Sequence, residues 1–559
     1  MNYSGAEIIV EFLRVNGYKH VFGIPGRRIL SFFDAVNRSN GGIKMITTRH
    51  EQGAAFMAEV YSRINGKGCC VGISAPGAVN LLAGAASAYM DSIPLLIFAG
   101  QAQVPDMGKY PVQEATGIGR TPNQLQIYKS TTKYAVSVEK IEDLLFELEK
   151  AYTIMQEGRK GPVYIELPTN ILEERIDCDI KKVELKTSVY EEGNVTQEML
   201  KKVTDILLNS KKPLMLLGNG VQNSGAVEEY RQFFEKNDVP YGTTLLAKGI
   251  LDEKNKLSLG TIGIFGQKAA NKYLLDESDA VIAIGTTFQE LSSMVWRTEI
   301  ANKLKVRIDI DIEEINRNYL AENVYLLDAK KFIVELDKYL MLNNIVIKKA
   351  DALEEVARLK EQYGYFKVSE DSEEGLHPGK VVEKINLLLK ENDILLSDIG
   401  ENGYWSSLLI QRKNIGTYIL NGGYGSMGHA VAGSVGAAMT NPKGNVVTIC
   451  GDGGFLMNGN EVATAKYYKS KVIWCVLDNG ILGTQKHFQE REYGGRIQGS
   501  IVPSVDIYKY AESMGVKSFC VRTLSEFENA YQQALEEEDS VVIDIKVLEN
   551  IAPEPQCKF

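Results

Sequence analysis

The stretch NVVTICGDGGFLMNGNEVATAKYYKSKVIWCVLDNG, residues 445–480, decides how the chain is read. Two apolar runs, NVVTIC and KVIWCVL, bracket a helix-like segment, and each ends in Gly, Asp or Asn. That is the pattern of a strand, a crossover helix and a parallel strand. In such a unit Asp452 lies just past one strand end and Asn479 just past the other. A carboxylate and an amide oxygen can then converge. Hard oxygen donors suit Mg²⁺ better than zinc, and Mg²⁺ keeps phosphate oxygens in its shell. Gly451, Gly453 and Gly454 admit a diphosphate to the backbone N–H groups, and the following helix offers its N-terminus. No GK[ST] follows, so the turn is not a Walker A loop. A lone GDG would read as a capped strand-end turn; GDG paired with DN at 478–479 is much more specific.

The same rhythm runs along the whole chain, in GCCVGIS, PLLIFAG, PVYIELP, PLMLLGNG, AVIAIGTT, KVRIDID, ILLSDIG and VVIDIKV. The fold class is therefore α/β, with three doubly wound parallel sheets. A chain of 559 residues exceeds one core, which agrees with several domains. Polar stretches at 178–196 and 341–378 read as linkers. They give domains at 1–178, 190–342 and 370–550, and the two-proline tail IAPEPQCKF is expected to run over the surface.

The net charge of −10, with no basic run, argues against nucleic acid as a partner. No apolar run reaches membrane-spanning length, so no membrane is expected. Seven Cys without a CxxC read as buried thiols of a reducing compartment, hence a cytoplasmic location.

GDG followed some thirty residues later by Asn resembles the diphosphate and Mg²⁺ motif of thiamine diphosphate enzymes. The usual second half is NN; here Asp478 stands first and Asn479 second. A second stretch, RHEQGAAFMAEVYSR at 49–63, is similar to the pyrimidine-binding domain of the acetolactate synthase group. GIPG at 23–26, SAPGAVN at 74–80, AYMDSIP at 88–94, SDIGENGYW at 397–405 and NGGYGSMGHAV at 421–431 extend the likeness over nearly the whole chain.

That resemblance implies thiamine diphosphate and Mg²⁺, with Asp452, Asn479 and the carbonyl of Ile481 as protein ligands of the metal. It implies contacts to the cofactor from Pro25, Gly26, Pro76, Asn80, Gly425, Ser426, Met427, Leu482 and Gly483, Met427 propping its bent shape. Glu51 would share a proton with the aminopyrimidine in an apolar site and so activate the cofactor. Gln113 joins the catalytic candidates. His429 is a candidate proton donor, or equally a packed, hydrogen-bonded His. His487 stays undecided, and His50 reads as structural.

The active site would lie between two subunits of a homodimer or homotetramer. A 2-keto acid, pyruvate being the expected donor, would lose CO₂, and the activated aldehyde would be ligated to a second carbonyl. A non-ligating decarboxylase, a flavin-dependent oxidase of the same superfamily and an inactive scaffold are the rivals. Four departures bear on the acceptor and on FAD. GTTFQEL at 285–291 replaces an arginine-rich FAD-seating segment, which leaves FAD open. Val112 and Phe488 replace larger aromatics near the substrate. Arg27 and Arg28 follow GIPG, where Arg27 is a candidate for holding an anionic substrate and Arg28 reads as a surface residue.

Overall fold

The computed structural model describes residues 1–39, 41–185, 193–364, 368 and 375–556. Three six-stranded sheets, each wholly parallel, follow one another along the chain. The first holds β2 (His20–Gly23), β3 (Lys44–Thr47), β4 (Gly68–Gly72), β5 (Leu95–Gln101), β6 (Tyr134–Ser137) and β7 (Val163–Pro168), in the order β3-β2-β4-β5-β7-β6. A separate antiparallel pair, β1 (Asn2–Ser4) with β8 (Arg175–Asp177), closes this unit.

The second sheet has the order β11-β10-β9-β12-β13-β14. Its strands are β9 (Pro213–Leu217), β10 (Tyr241–Thr243), β11 (Ser258–Thr261), β12 (Ala280–Ile284), β13 (Leu304–Asp309) and β14 (Asn323–Leu326). The third has the order β16-β15-β17-β18-β20-β19, from β15 (Ile394–Ser397), β16 (Tyr418–Leu420), β17 (Val446–Gly451), β18 (Ile473–Asp478), β19 (Lys517–Val521) and β20 (Val541–Lys546). Helices cover both faces, so the central strands are apolar on both sides; every residue of β4, β5, β9 and β12 is buried.

The first and third units share one core. Helix α1 (Glu51–Asn65) packs along helix α2 (His429–Ala438), and Phe56, Met57 and Val60 join Val431 and Val435 in a single cluster. The approach is close: a Cβ on Gly436 would collide with the Met57 carbonyl, so Gly is required there.

The stretch 341–378, read as a linker, contains the helix Ala350–Tyr363, which buries Ala352, Val356 and Leu359. Three apolar residues on an otherwise charged helix make too thin a stripe to stand out in sequence. Residues 186–192 of the first linker, and 365–367 and 369–374 of the second, lie outside the described residues. The tail reaches the central unit, where the Gln556 N–H donates to the Ile264 carbonyl at 2.7 Å; residues 557–559 lie outside the described residues. Among the described residues no helix is long and apolar enough to cross a membrane.

Candidate functional site

β17 and β18 are neighbours, with Gly451 in register with Leu477, so the GDG and DN turns leave adjacent strand ends. The Asp452 carboxylate accepts the Gly480 N–H at 3.1 Å, which ties one turn to the other. Burial, and then the charge of Asp478, push Asp452 up to about 6. A cation would relieve that cost. Among the described residues no group of three His, Cys, Asp or Glu side chains is placed for a metal. An ion at Asp452 would therefore draw on an amide, backbone carbonyls and its own ligand's oxygens, a set suited to Mg²⁺. Asn479 Oδ1 accepts the Ile481 N–H at 3.3 Å, which turns amide and carbonyl into the same bend. Asp478 is held by Lys546 on β20.

Above these turns lies a cleft of about 270 Å³, walled by Gly451, Gly453, Gly454, Gly425 and Met427 on one side and by Asn479 and Ile481–Gly483 on the other. A Cβ on Gly453 would sit 2.9 Å from Leu482 and 3.3 Å from the Met427 methyl, so a side chain there would fill the cleft. The buried hydroxyl of Thr484 has no hydrogen-bond partner and faces this cavity, as expected where a polar ligand belongs. Asp398 fastens the Gly425–Met427 loop from below, accepting the N–H groups of Gly428 (2.8 Å) and Ala430 (3.2 Å). Burial outweighs these bonds and pushes Asp398 up to about 6. Asp398 was not singled out in the sequence, although ILLSDIG carries the same strand-end acid signal as TICGDG.

Glu51 starts α1 in the first unit. Its Oε2 accepts from Asn80 Nδ2 at 2.9 Å, and Gly77 passes close to Oε1. Asn80 stands on helix α3 (Pro76–Met90), which begins at Pro76 after the strained Ala75. Gly26 rests against Ile73, next to Pro25 and ahead of the turn Arg27–Ile29. Pro25, Gly26, Pro76, Asn80 and Glu51 thus gather at the carboxyl ends of β2 and β4. Gln113 adopts φ 62° in a loop whose fold is pinned by Glu114, which accepts from Gly108 N, Tyr110 N and Thr116 Oγ1.

The cleft of the third unit contains no residue of the first. Within one chain, Glu461 stands between them, accepting the N–H groups of Arg49 and His50 at 2.9–3.1 Å and so fixing the start of α1.

His429 does not reach the cleft. It is buried on α2, with Nε2 2.9 Å from Glu59 Oε2 and its ring edge-on to Phe56. It is a packed, hydrogen-bonded histidine because a helix start that looks accessible in sequence is covered by α1. Ser426 lies between two cleft residues without joining the wall. Phe488 is 44% exposed outside the cleft, beside Tyr493 and Arg491. Val112 is 76% exposed. Arg28 donates to the Val112 carbonyl at 3.0 Å, so it is a loop anchor, whereas Arg27 is exposed.

A second cavity, of about 300 Å³, opens between the first and central units at the carboxyl ends of β12 and β13. It lies where the strand order reverses between β9 and β12, the usual ligand crevice of an open α/β sheet. Buried Asp309, pushed up to about 6 by burial, stands at its rim.

Each of the three units matches a family model. The chain matches the thiamine pyrophosphate enzyme N-terminal binding domain over residues 3–122, the central domain over 200–336 and the C-terminal binding domain over 398–545. The chain belongs to the thiamine pyrophosphate enzyme family and is an enzyme dependent on that cofactor. Within it, the chain is similar to acetolactate synthase large subunits. It is 33% identical to a probable one of Methanocaldococcus jannaschii, over 97% of this chain and 92% of that protein. It is 32% identical to that of Haemophilus influenzae (98% and 95%) and 32% to that of Lactococcus lactis (92% and 87%).

Proposed function

We propose that the protein decarboxylates a 2-keto acid, pyruvate being the donor, and ligates the activated aldehyde to a second carbonyl, as in acetolactate synthesis. The observation that carries this is that Asp452, tied to the Gly480 N–H, and Asn479 line one glycine-walled cleft in a chain similar to acetolactate synthases over nearly its full length. Thiamine diphosphate, when bound, supplies the carbon nucleophile and the electron sink that decarboxylation and ligation need.

Asp452, Asn479 and the Ile481 carbonyl would hold Mg²⁺. Gly451, Gly453, Gly454 and Gly483 let the diphosphate approach the backbone, and Met427 and Leu482 give the cofactor an apolar support. Glu51 keeps Oε2 on Asn80 and so presents Oε1 as the atom that gives and takes the pyrimidine proton. Pro25, Gly26 and Pro76 shape the backbone around it, and the strained Gln113 loop stands at the mouth.

Because the cleft holds no residue of the first unit, Glu51 of one copy serves the cleft of a second copy. Exposed apolar residues on both sides, Tyr110, Val112 and Ile118 on one and Met457, Phe488 and Ile501 on the other, support such an interface. The domains are read as 1–178, 190–342 and 370–550, with one six-stranded sheet to each, and the reading is of a cytoplasmic homo-oligomer.

Exposed Arg27 beside the Arg28–Val112 anchor favours a second reading of the acceptor, as an anionic or sugar carbonyl. The segment 285–291 brings Thr286, Thr287, Gln289 and Leu291 to the central cavity and no cation. A flavin spectrum in the purified protein would show that FAD is bound; a colourless protein leaves the chemistry to thiamine diphosphate.

Incubation with thiamine diphosphate, Mg²⁺ and pyruvate, with CO₂ and product followed by mass spectrometry, tests the main reading. Acetolactate supports it. Acetaldehyde without any ligated product overturns carboligation, and an inert mixture that turns over with an anionic acceptor selects the second reading.

A further inference from the structure

The cleft wall contains an acid that the metal motif does not explain. Glu401 opens helix α4 (Glu401–Leu409) and lines the cleft with Asp452 and Gly454. Its Oε2 presses on the backbone that begins helix α5 (Gly483–Glu492); a Cβ on Gly483 would collide with it. Its Oε1 lies 2.6 Å from Nδ1 of His487, on the same α5. The other ring nitrogen, Nε2, is 3.0 Å from the Glu549 carbonyl.

These two contacts count protons. A carbonyl oxygen only accepts, so His487 Nε2 carries a hydrogen. A neutral ring then turns the lone pair of Nδ1 toward a carboxylate oxygen at 2.6 Å, two acceptors facing each other. The contact requires one more proton, on Nδ1 or on Oε1. In either place the pair has no net charge. Without that proton the pair becomes an anion in the cleft wall.

One neighbour, Lys486, is a cation that favours the charged Glu401 carboxylate. Lys486 is committed to Glu490 at 2.8 Å and Asn550 at 3.3 Å. Glu490 of α5 and Glu290 of the central unit add further negative charge nearby, and Tyr404 is a further titratable side chain beside Glu401. Asp398 and Asp452 stand on the remaining walls. Asp398 is satisfied by backbone N–H groups, and the metal would offset Asp452. Burial pushes Glu401 up, and its bond to His487, with the charge of Lys486 behind it, draws it part of the way back.

We propose that Glu401 and His487 form a single one-proton unit in the cleft wall, and that thiamine diphosphate binds only when that proton is present. Both are positioning residues: they set the charge that the diphosphate meets. The proposal rests on the assignment of this cleft to the diphosphate. When the ligand enters at a pH where the free pair has lost its proton, one proton is taken up from solvent onto the pair. No other bond changes.

The test is the affinity of the full-length, cofactor-stripped protein for thiamine diphosphate at saturating Mg²⁺ between pH 6 and 9. Quenching of tryptophan fluorescence reports binding, since Trp405 lines the cleft. Wild-type affinity is expected to fall on the alkaline side with a slope approaching tenfold per pH unit, the limit for one linked proton. Glu401→Gln removes that slope and keeps tight binding at high pH. His487→Gln binds weakly across the range, and the double variant regains the flat profile of Glu401→Gln. A Glu401→Gln profile with the wild-type slope overturns the proposal. Asp452→Ala separates the premise: if it still binds in a Mg²⁺-dependent way, the cleft is not the diphosphate site and the proposal falls with it. If Asp452→Ala loses binding while Glu401→Gln keeps the slope, only the pair is refuted.

Discussion

Ala75 stands at φ 59° and ψ −96°, a conformation a side chain adopts only under constraint. Its N–H is held by Gln124 Oε1 at 2.9 Å, and Ser74 Oγ binds the Gln113 carbonyl at 2.6 Å. The strain positions Pro76 and thus the helix that carries Asn80 to Glu51. Ala75→Gly is expected to raise stability by about 1 kcal/mol, relief of strain less the entropy of the glycine. A lower denaturant midpoint in that variant would show that the methyl packs usefully. At the same scale, Glu51→Gln should abolish turnover and leave thiamine diphosphate affinity near that of the wild type; retained turnover would remove Glu51 from the chemistry. Neither Glu51 nor Asn80 was distinguishable by residue type from a solvated helix-start acid and a surface amide. Only the family likeness drew them out. Asp452 was legible once its GDG turn was read together with the DN turn at 478–479, since either turn alone passes for a capped strand end.

Between elements, the crossing of α1 and α2 buries a polar group of four. Arg63 bridges Glu59 and Asp91 (2.6 Å to Asp91), and His429 binds Glu59 from the other side. Burial pushes Glu59 up, but Arg63 and His429 overcome this and hold it at about 2. Burial keeps Asp91 raised despite Arg63. Because the folded value of Glu59 lies below its ordinary 4.5, its contribution is complete above that pH and is lost as pH falls toward 2. Glu59→Gln should cost about 2 kcal/mol near neutrality, since it removes one of the two carboxylates bonded to a buried guanidinium, and should flatten the acid limb of the stability profile. An unchanged unfolding midpoint at pH 7 would show that the group is dispensable. Nothing in the sequence announces this network: Glu59 and His429 are 370 positions apart and meet only because α1 and α2 cross.

For the whole molecule, the decisive prediction concerns the two halves of the site. Glu51→Gln and Asp452→Ala chains are each expected to be inactive. Co-expressed, they form mixed dimers in which one site carries both lesions and the other none. Such a mixture should regain roughly a quarter of wild-type activity if pairing is random. No regain would mean that each chain builds its site alone.

The alternation of apolar runs with helical stretches determined the parallel sheets by itself, because strands buried on both faces must be continuously apolar. Glycine, acid and amide at the ends of two such runs were equally local, since a βαβ unit brings neighbouring strand ends together whatever surrounds them. The depth of His429, the commitment of Arg28 to a loop carbonyl, the helix hidden in an apparent linker and the proton shared by Glu401 and His487 were decided by tertiary packing alone. Each depends on which surface covers a residue and which distant acceptor faces it, and neither is a property of the residue or of its neighbours in the chain.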